Sequence, residues 1–424
     1  MKVAVTEVSA CRRAVAVELP PEVVEEEYDR TFRRFARKIR LDGFRAGKIP
    51  RHLVEQRFGR EIEQEVVEHL IRSHQQSAIE GAGLRPLHAP ILKDYKFRRG
   101  AGLSFVTEFE VRPAITASGY RGIKVRRRQV EVTEMDVLKA LDELRERHAR
   151  FEGVEGRGLE PGDFALADVS ASPEGGDVRP FSHEDAFFEV GSAGPRPELT
   201  DEIRGMRPGE ERVFGVRYPQ DHPERPLAGR RVVYRVRLKE IKLKRLPDLD
   251  DDFAREMGRF ETLEALRARA RQDLHDAAVA REQDEARQQV LSQLVESHAS
   301  VEVPDALVDD HVEGVVEDMM RVISARGLDP REAKVDWEEL RREQRGPARR
   351  SVLAMLLLDA IAEQESIRVG ESDLAAALDR EAARRRQSAE ALRARWEKDG
   401  RVDALKRQIL REKVLDFLLA PANI

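Results

Sequence analysis

Beyond Leu246-Pro247 the sequence reads as helix almost without interruption, and this long tail constrains the chain more than any other feature. Pro304 opens one helix, whose apolar stripe is Leu307, Val308, Val312, Val315, Val316, Met319 and Ile323. Later stripes run through Leu353, Leu356, Leu357 and Ile361, then through Leu405, Ile409, Val414 and Phe417. Arginine- and glutamate-rich faces separate them. There is no solenoid-type repeat and no sustained heptad pattern. Charged residues make up 37% of the chain and aromatics 5%. That balance suits long solvated helices with much surface per residue, and argues against a compact, deeply buried enzyme.

A chain of 424 residues is too long for one ordinary core, so two to four domains are expected. Up to about Pro113 the pattern is mixed. Arg13 to Leu19 alternates as a strand does, whereas Val24, Tyr28, Phe32, Phe35 and Ile39 fall on one helical face behind Pro20-Pro21. A second helix carries Ile62, Val66, Val67, Leu70 and Ile71, and strands follow at Tyr95 to Phe97 and Leu103 to Val111. Thr133 to Ala149 is a charged helix with a narrow stripe of Val137, Leu141 and Leu144, which reads as an arm packing on something distant in sequence. Between Gly153 and Arg245 glycine and proline concentrate, and strands are expected around Val213 to Tyr218 and Val232 to Leu238, with a short helix near Leu199 to Arg204.

Several chemistries find no support. A net charge of −5 excludes a globally basic nucleic-acid binder while leaving local patches open. The single cysteine, Cys11, cannot form an internal disulfide and reads as a small residue in a strand. The N-terminal stretch has no continuous apolar run of the secretory kind, and Val352 to Ala362 is too short to span a membrane, so a cytoplasmic protein is expected. No HExxH, paired-cysteine or phosphate-loop pattern occurs. His183-Glu184-Asp185 reads as a polar loop, and Asp248 to Asp252 as an acidic junction without calcium-loop spacing. Met319 and Met320 suit either a core or an adaptable client-binding surface.

The most informative segment is Leu41-Asp42-Gly43-Phe44-Arg45-Ala46-Gly47-Lys48-Ile49-Pro50. Two glycines permit a tight loop between helices, and between them stand an aromatic and an arginine, followed by a lysine. Arg30, Arg33, Arg34, Arg37, Lys38 and Arg40 precede it, and Arg51, Arg57 and Arg60 follow; only Asp42 and Glu55 are acidic in this stretch. Taken alone the arginines suit a solvated helix face. Together with the loop they suit RNA phosphate and an acidic protein surface.

This run resembles the signature of the bacterial trigger factors, in which a Gly-Phe-Arg-x-Gly-Lys loop binds the large ribosomal subunit beside the tunnel exit. The resemblance extends through Leu246-Pro247-Asp248-Leu249, Val303-Pro304-Asp305-Ala306-Leu307 and the total length. It implies an α+β multidomain protein: an α/β ribosome-binding domain (1–115), a linker or arm (116–150), a β-rich FKBP-like prolyl isomerase domain (151–245) and an all-helical C-terminal chaperone domain (246–424). The ribosome contact would fall on Gly43, Phe44, Arg45, Gly47 and Lys48. Partners would be the large ribosomal subunit near the tunnel exit, nascent and unfolded polypeptides and, for the free protein, a second copy; no membrane, DNA, metal or cofactor is expected.

The isomerase pocket implied by the resemblance maps to Val169, Val178, Ala186, Arg196, Tyr218, His222 and Tyr234. Such a pocket needs no nucleophile; it must hold proline in an apolar, water-poor site that favours the twisted amide. Val169, Val178 and Ala186 stand where the family tends to have phenylalanine, and Arg196 stands where isoleucine would precede Pro197. Both changes weaken the grip on an apolar amide, so low or absent activity is expected. The competing expectation is that Tyr218, Tyr234 and Phe187 or Phe188 rebuild a pocket, with isomerisation as the main activity and the helices recruiting substrates. A third, an RNA-binding protein using Arg30 to Arg60 alone, predicts binding to free RNA.

Overall fold

The computed structural model describes residues 1–39, 49–173, 181–191, 197–220, 229–258, 260–333 and 335–420. The chain forms two compact units, one of Met1–Arg127 with Gln283–Ile424 and one of Arg128–Glu282.

The first unit begins with strands β1 (Lys2–Glu7) and β2 (Arg12–Leu19), then helices α1 (Pro21–Lys38) and α2 (Arg51–Gly81), then β3 (Ile91–Arg98) and β4 (Gly102–Glu110). The strands pair antiparallel in the order β1-β2-β4-β3. Alternation puts Val15, Val17 and Leu19 of β2 and Leu103, Phe105 and Phe109 of β4 on one face, where they pack on Val24 and Tyr28 of α1 and Ile62, Val66 and Leu70 of α2. Pro21 opens α1 with its φ already helical, and Arg37 and Lys38 sit at its negative end. Gly102, at φ +99°, is required where β4 starts, since a Cβ there would stand 2.4 Å from the Leu19 carbonyl oxygen. Cys11 is not in a strand: it lies in the turn between β1 and β2, where Arg12 N–H donates to Ser9 O. Burial pushes its thiol pKa up to about 11, and the protonated Sγ–H donates to Glu302 O at 3.3 Å.

Thr107 shares the buried face of β4, yet its Oγ1 meets no hydrogen-bond partner among the described residues. Valine has the same shape without the hydroxyl. Thr107→Val is therefore expected to stabilise this unit by about 1 kcal/mol, the usual cost of a buried unpaired hydroxyl. A chemical-denaturation midpoint that falls would contradict this.

The same unit contains the C-terminal part of α6 (Leu263–Ser297), α7 (Asp305–Ala325), α8 (Trp337–Gln364), α9 (Glu371–Arg385), α10 (Ala389–Lys398) and α11 (Arg401–Leu418). Ala286, Val290 and Leu294 of α6, Val308 and Val312 of α7, Val352, Leu353, Leu357 and Ile361 of α8, and Val414 and Leu418 of α11 form one core. Ala117 and Ile123, from an extended segment that follows β4, are buried in it. Among the described residues that segment has no sheet partner, and side chains supply its main-chain hydrogen bonds instead, from three glutamines and from His298, which accepts from Ser118 N–H. Gln364 both accepts from Ala117 N–H and donates to Ala117 O; Gln289 does the same at Arg126; Gln293 donates to Lys124 O. Near the start of α7, Glu110 of β4 accepts the otherwise unpaired Ala306 N–H at 2.8 Å. None of the helices among the described residues is long and apolar enough to cross a membrane.

In the second unit, α3 (Glu134–Arg147) starts with a capping box between Thr133 and Asp136. Its Val137 and Leu141 pack on Phe253 and Ala254 of α5 (Asp251–Glu256) and on Leu266 of α6. The Asp248 to Asp252 run is capping chemistry: Asp250 accepts from Phe253 N–H and Asp251 from Leu263 N–H. Strands β5 (Arg150–Gly153), β6 (Asp163–Pro173), β7 (Phe181–Glu189), β8 (Glu211–Arg217) and β9 (Arg231–Arg245) form an antiparallel sheet in the order β5-β9-β6-β7, with β8 also on β9. Its inner face presents Ala165, Ala167, Val169 and Ala171 beside Val232, Tyr234, Val236 and Leu238. Ile203 and Met206, which follow α4 (Pro197–Glu202), pack on this layer. At the start of β6, Asp163 is buried and gripped by both Arg157 Nη atoms, at 2.5 and 2.7 Å, while Glu160 N–H donates a third bond.

Candidate functional site

Three places carry chemistry, and each begins with the residues the sequence singled out. Gly43, Phe44, Arg45, Gly47 and Lys48 lie outside the described residues. What flanks them is well defined. Arg51, at the start of α2, reaches back to Asp29 at 2.9 Å and lies 4.9 Å over the Phe32 ring. Phe35 packs on Phe58 at 5.8 Å between ring centroids, and Arg34 bonds Glu65 at 2.7 Å. These contacts fasten the two helices together and neutralise Arg34 and Arg51. Arg33, Arg37, Lys38, Arg57 and Arg60 are exposed, and among the described residues none of them meets a carboxylate. The helix pair therefore spends part of its basic run on internal contacts and leaves five cations facing water beside segment 40–48.

In the second unit, Val178, Arg196 and His222 lie outside the described residues. Val169, Ala186, Tyr218 and Tyr234 are described, and all belong to or pack against one core. Tyr218 is 2% exposed and Tyr234 0%. Their hydroxyls bond each other at 2.7 Å, and Phe214 stacks on Tyr234 at 5.9 Å. The alanines of β6 share this core with the two rings. Phe187 and Phe188 part company. Phe188 packs against the core, whereas Phe187, opposite Leu166, is exposed and joins Phe151 and Phe164 at 5.0 and 5.2 Å. Of the two, only Phe188 shares the tyrosines' core.

The metal-like run is built into the sheet edge. His183 Nδ1 contacts Glu184 O, while Asp185 and Asp168 share Lys239 at 2.7 and 2.6 Å. Among the described residues no group of three His, Cys, Asp or Glu side chains is arranged to hold an ion.

The third place is the distal end of α7. Val308, Val312 and Val316 are buried, but the stripe surfaces further on: Met319 is 40% exposed, Val322 53% and Leu328, just past the helix, 62%. Met320 stays half-buried. The alternation of core and surface uses for the two methionines follows their positions on the helix. Val322 and Leu328 were not singled out by the sequence reading, because an apolar residue at helical spacing looks the same whether or not a neighbour covers it.

Comparison with known proteins gives the relatives of this chain. Residues 1–144 match the family model of the bacterial trigger factor protein, and residues 262–420 match that of the trigger factor C-terminus. The trigger factor of Solibacter usitatus is 32% identical over 416 residues, covering 98% of each chain. That of Koribacter versatilis is 33% identical over 413 residues, covering 96% of this chain and 93% of its own. A solved structure of the trigger factor chaperone, described for promiscuous substrate recognition in folding and assembly, superposes over the whole of both chains with a TM-score of 0.55 at 20% identity. That last likeness is one of fold.

Proposed function

The chain belongs to the trigger factor family, and on that premise we propose that it is a cytoplasmic, ATP-independent chaperone that docks beside the tunnel exit of the large ribosomal subunit and shields nascent and unfolded polypeptides. The observation that carries this reading is the set of five exposed cations, Arg33, Arg37, Lys38, Arg57 and Arg60, bracketing the Gly43-Phe44-Arg45-Ala46-Gly47-Lys48 loop on a chain of net negative charge. Phosphate contacts of this kind anchor without reading sequence. The exposed Met319, Val322 and Leu328 supply adaptable apolar contacts for an unfolded client.

In this reading residues 1–115 bind the ribosome, 116–150 form the arm, 151–245 are the FKBP-like domain and 246–424 hold clients. The FKBP-like domain contributes weak or no isomerisation. Tyr218 and Tyr234 support this: their hydroxyls satisfy each other and both rings are buried in the core, so neither is left over to line an open proline site.

The full chain should cosediment with large ribosomal subunits at low salt, lose that contact as salt rises, and suppress aggregation of an unfolded protein without nucleotide. Added in catalytic amount to a proline-limited refolding reaction, it should leave the rate unchanged. Salt-independent ribosome binding would contradict the docking reading, and acceleration of refolding would contradict the reading of the pocket.

A further inference from the structure

Helices α9, α10 and α11 enclose a groove of about 800 Å³. Its apolar lining is Ala377, Trp396, Leu405 and Ile409. The charges along it are unevenly distributed. At one end Arg380, Arg384, Arg385 and Arg401 stand with a single carboxylate among the described lining residues, Glu381, which lies 2.5 Å from Arg385 Nε and 3.5 Å from Arg384 Nη1. The Arg385 hydrogen bond, with the charges of Arg384 and Arg401, holds Glu381 below the usual carboxylate range, so it stays ionised and outnumbered. Arg380 meets no carboxylate among the described residues. Arg401 lies 4.7 Å and Arg385 5.4 Å from the Trp396 ring centroid, which restrains both guanidinium planes.

The other end is balanced or acidic. Lys413 is taken by Asp373 at 2.6 Å, Arg287 by Asp416 at 3.0 Å, and Glu412 receives only the amide of Gln408. A groove that is cationic at one end, largely charge-paired at the other and apolar beneath selects against a uniform polyanion. A nucleic acid carries a phosphate at every step and would meet, past the arginines, cations already taken by Asp373 and Asp416 and then the carboxylate of Glu412. A polypeptide can place its carboxylates at one end and apolar side chains along the floor.

We propose that this groove is a subsite for acidic polypeptide segments, in which neighbouring carboxylates are gripped by Arg380, Arg384 and Arg401 while apolar residues lie over Leu405 and Ile409. It deepens the chaperone reading, on which it rests, by giving one class of client a defined place. Guanidinium forks suit carboxylates because two parallel N–H groups meet two oxygens, and stacking on Trp396 keeps the plane of Arg401 ordered before the ligand arrives.

The test uses the full chain and a fluorescent peptide carrying paired glutamates among leucines, with its glutamine counterpart as control. The glutamate peptide should bind about tenfold tighter at low salt, the worth of about one charge-assisted hydrogen bond. Arg380→Ala with Arg384→Ala should erase that preference; both side chains are exposed on α9, and circular dichroism should show the helices unchanged. The double lysine variant should keep part of it. Equal binding of the two peptides, a preference that survives the alanine variant, or displacement of the glutamate peptide by single-stranded RNA at lower concentration than by unlabelled peptide would overturn the proposal. Suppression of aggregation is read in parallel. Its loss from the wild-type chain with the glutamate preference intact would overturn the chaperone reading and uphold the groove.

Discussion

Replacing Phe44, Arg45 and Lys48 together by alanine should weaken binding to the large ribosomal subunit by about a hundredfold or more, with two charge-assisted contacts and one aromatic anchor removed. Stability should barely change, since among the described residues the core that holds α1 and α2 in place is built from Val24, Tyr28, Ile62, Val66 and Leu70. The salt dependence is the sharper test. Each lost phosphate contact should lower the slope of log affinity against log salt by about one, so the triple variant should be shallower by about two. Residual binding should still depend on salt, because Arg33, Arg37, Lys38, Arg57 and Arg60 remain exposed. A triple variant that cosediments as the wild type does would remove the loop from the contact altogether.

Arg157→Ala should destabilise the second unit by about 3 kcal/mol, the lower end of the range for stripping a partner from a buried charge, because the arginine itself is one-third exposed. Asp163 would keep only the Glu160 N–H. The arginine's hydrogen bonds are the first cause of the lowered Asp163 pKa, against burial, which raises it. A lowered folded pKa means that the pair's contribution is complete above the ordinary aspartate range and is lost as pH falls through the folded value. The wild-type unit should thus hold its stability from neutral pH to about 4, then lose it. In the variant this acid-induced loss should shrink or reverse, because Asp163, buried without its cation, favours the folded state when it is protonated. Both tryptophans, Trp337 and Trp396, belong to the first unit, so fluorescence would miss the effect. Amide exchange in β6 and β9 reads it directly. Arg157→Met with Asp163→Leu should recover most of the loss, and unchanged exchange in the single variant would show that the pair holds nothing.

Helical stripes were legible because they are local. Val24, Tyr28, Phe32 and Phe35 declare α1, and Ile62 to Ile71 declare α2, from spacing alone. Strand β1 was not legible, since every residue of Lys2–Glu7 is exposed on an edge and no alternation survives. His183-Glu184-Asp185 looked like a loop for the same reason and is part of edge strand β7. The sides taken by Phe187 and Phe188 depend on register. A register shift between Ala167 and Val169 intervenes, and sequence fixes no such shift. The cation-bearing flanks of segment 40–48 were visible as a run of arginines, but which of them are spent on Asp29 and Glu65 appears only once α1 and α2 are packed. Trp396 between two arginines was equally hidden, because the three come from different helices.

The extended segment after β4 is held through its peptide groups, by the amides of Gln289, Gln293 and Gln364. Amides that read main chain are indifferent to the side chains displayed there, although Ala117 and Ile123 are buried, Ile115, Tyr120 and Val125 pack on the same core, and Tyr120 donates to Glu365. The segment can therefore drift in sequence at Lys124 and Arg126 while its path stays the same. Gln289 and Gln364 cannot drift, for no shorter or purely accepting side chain both donates and accepts across that gap, whereas Gln293 only donates. Inheritance of the path is thus deposited in the helices it crosses, far along the chain from the residues it positions.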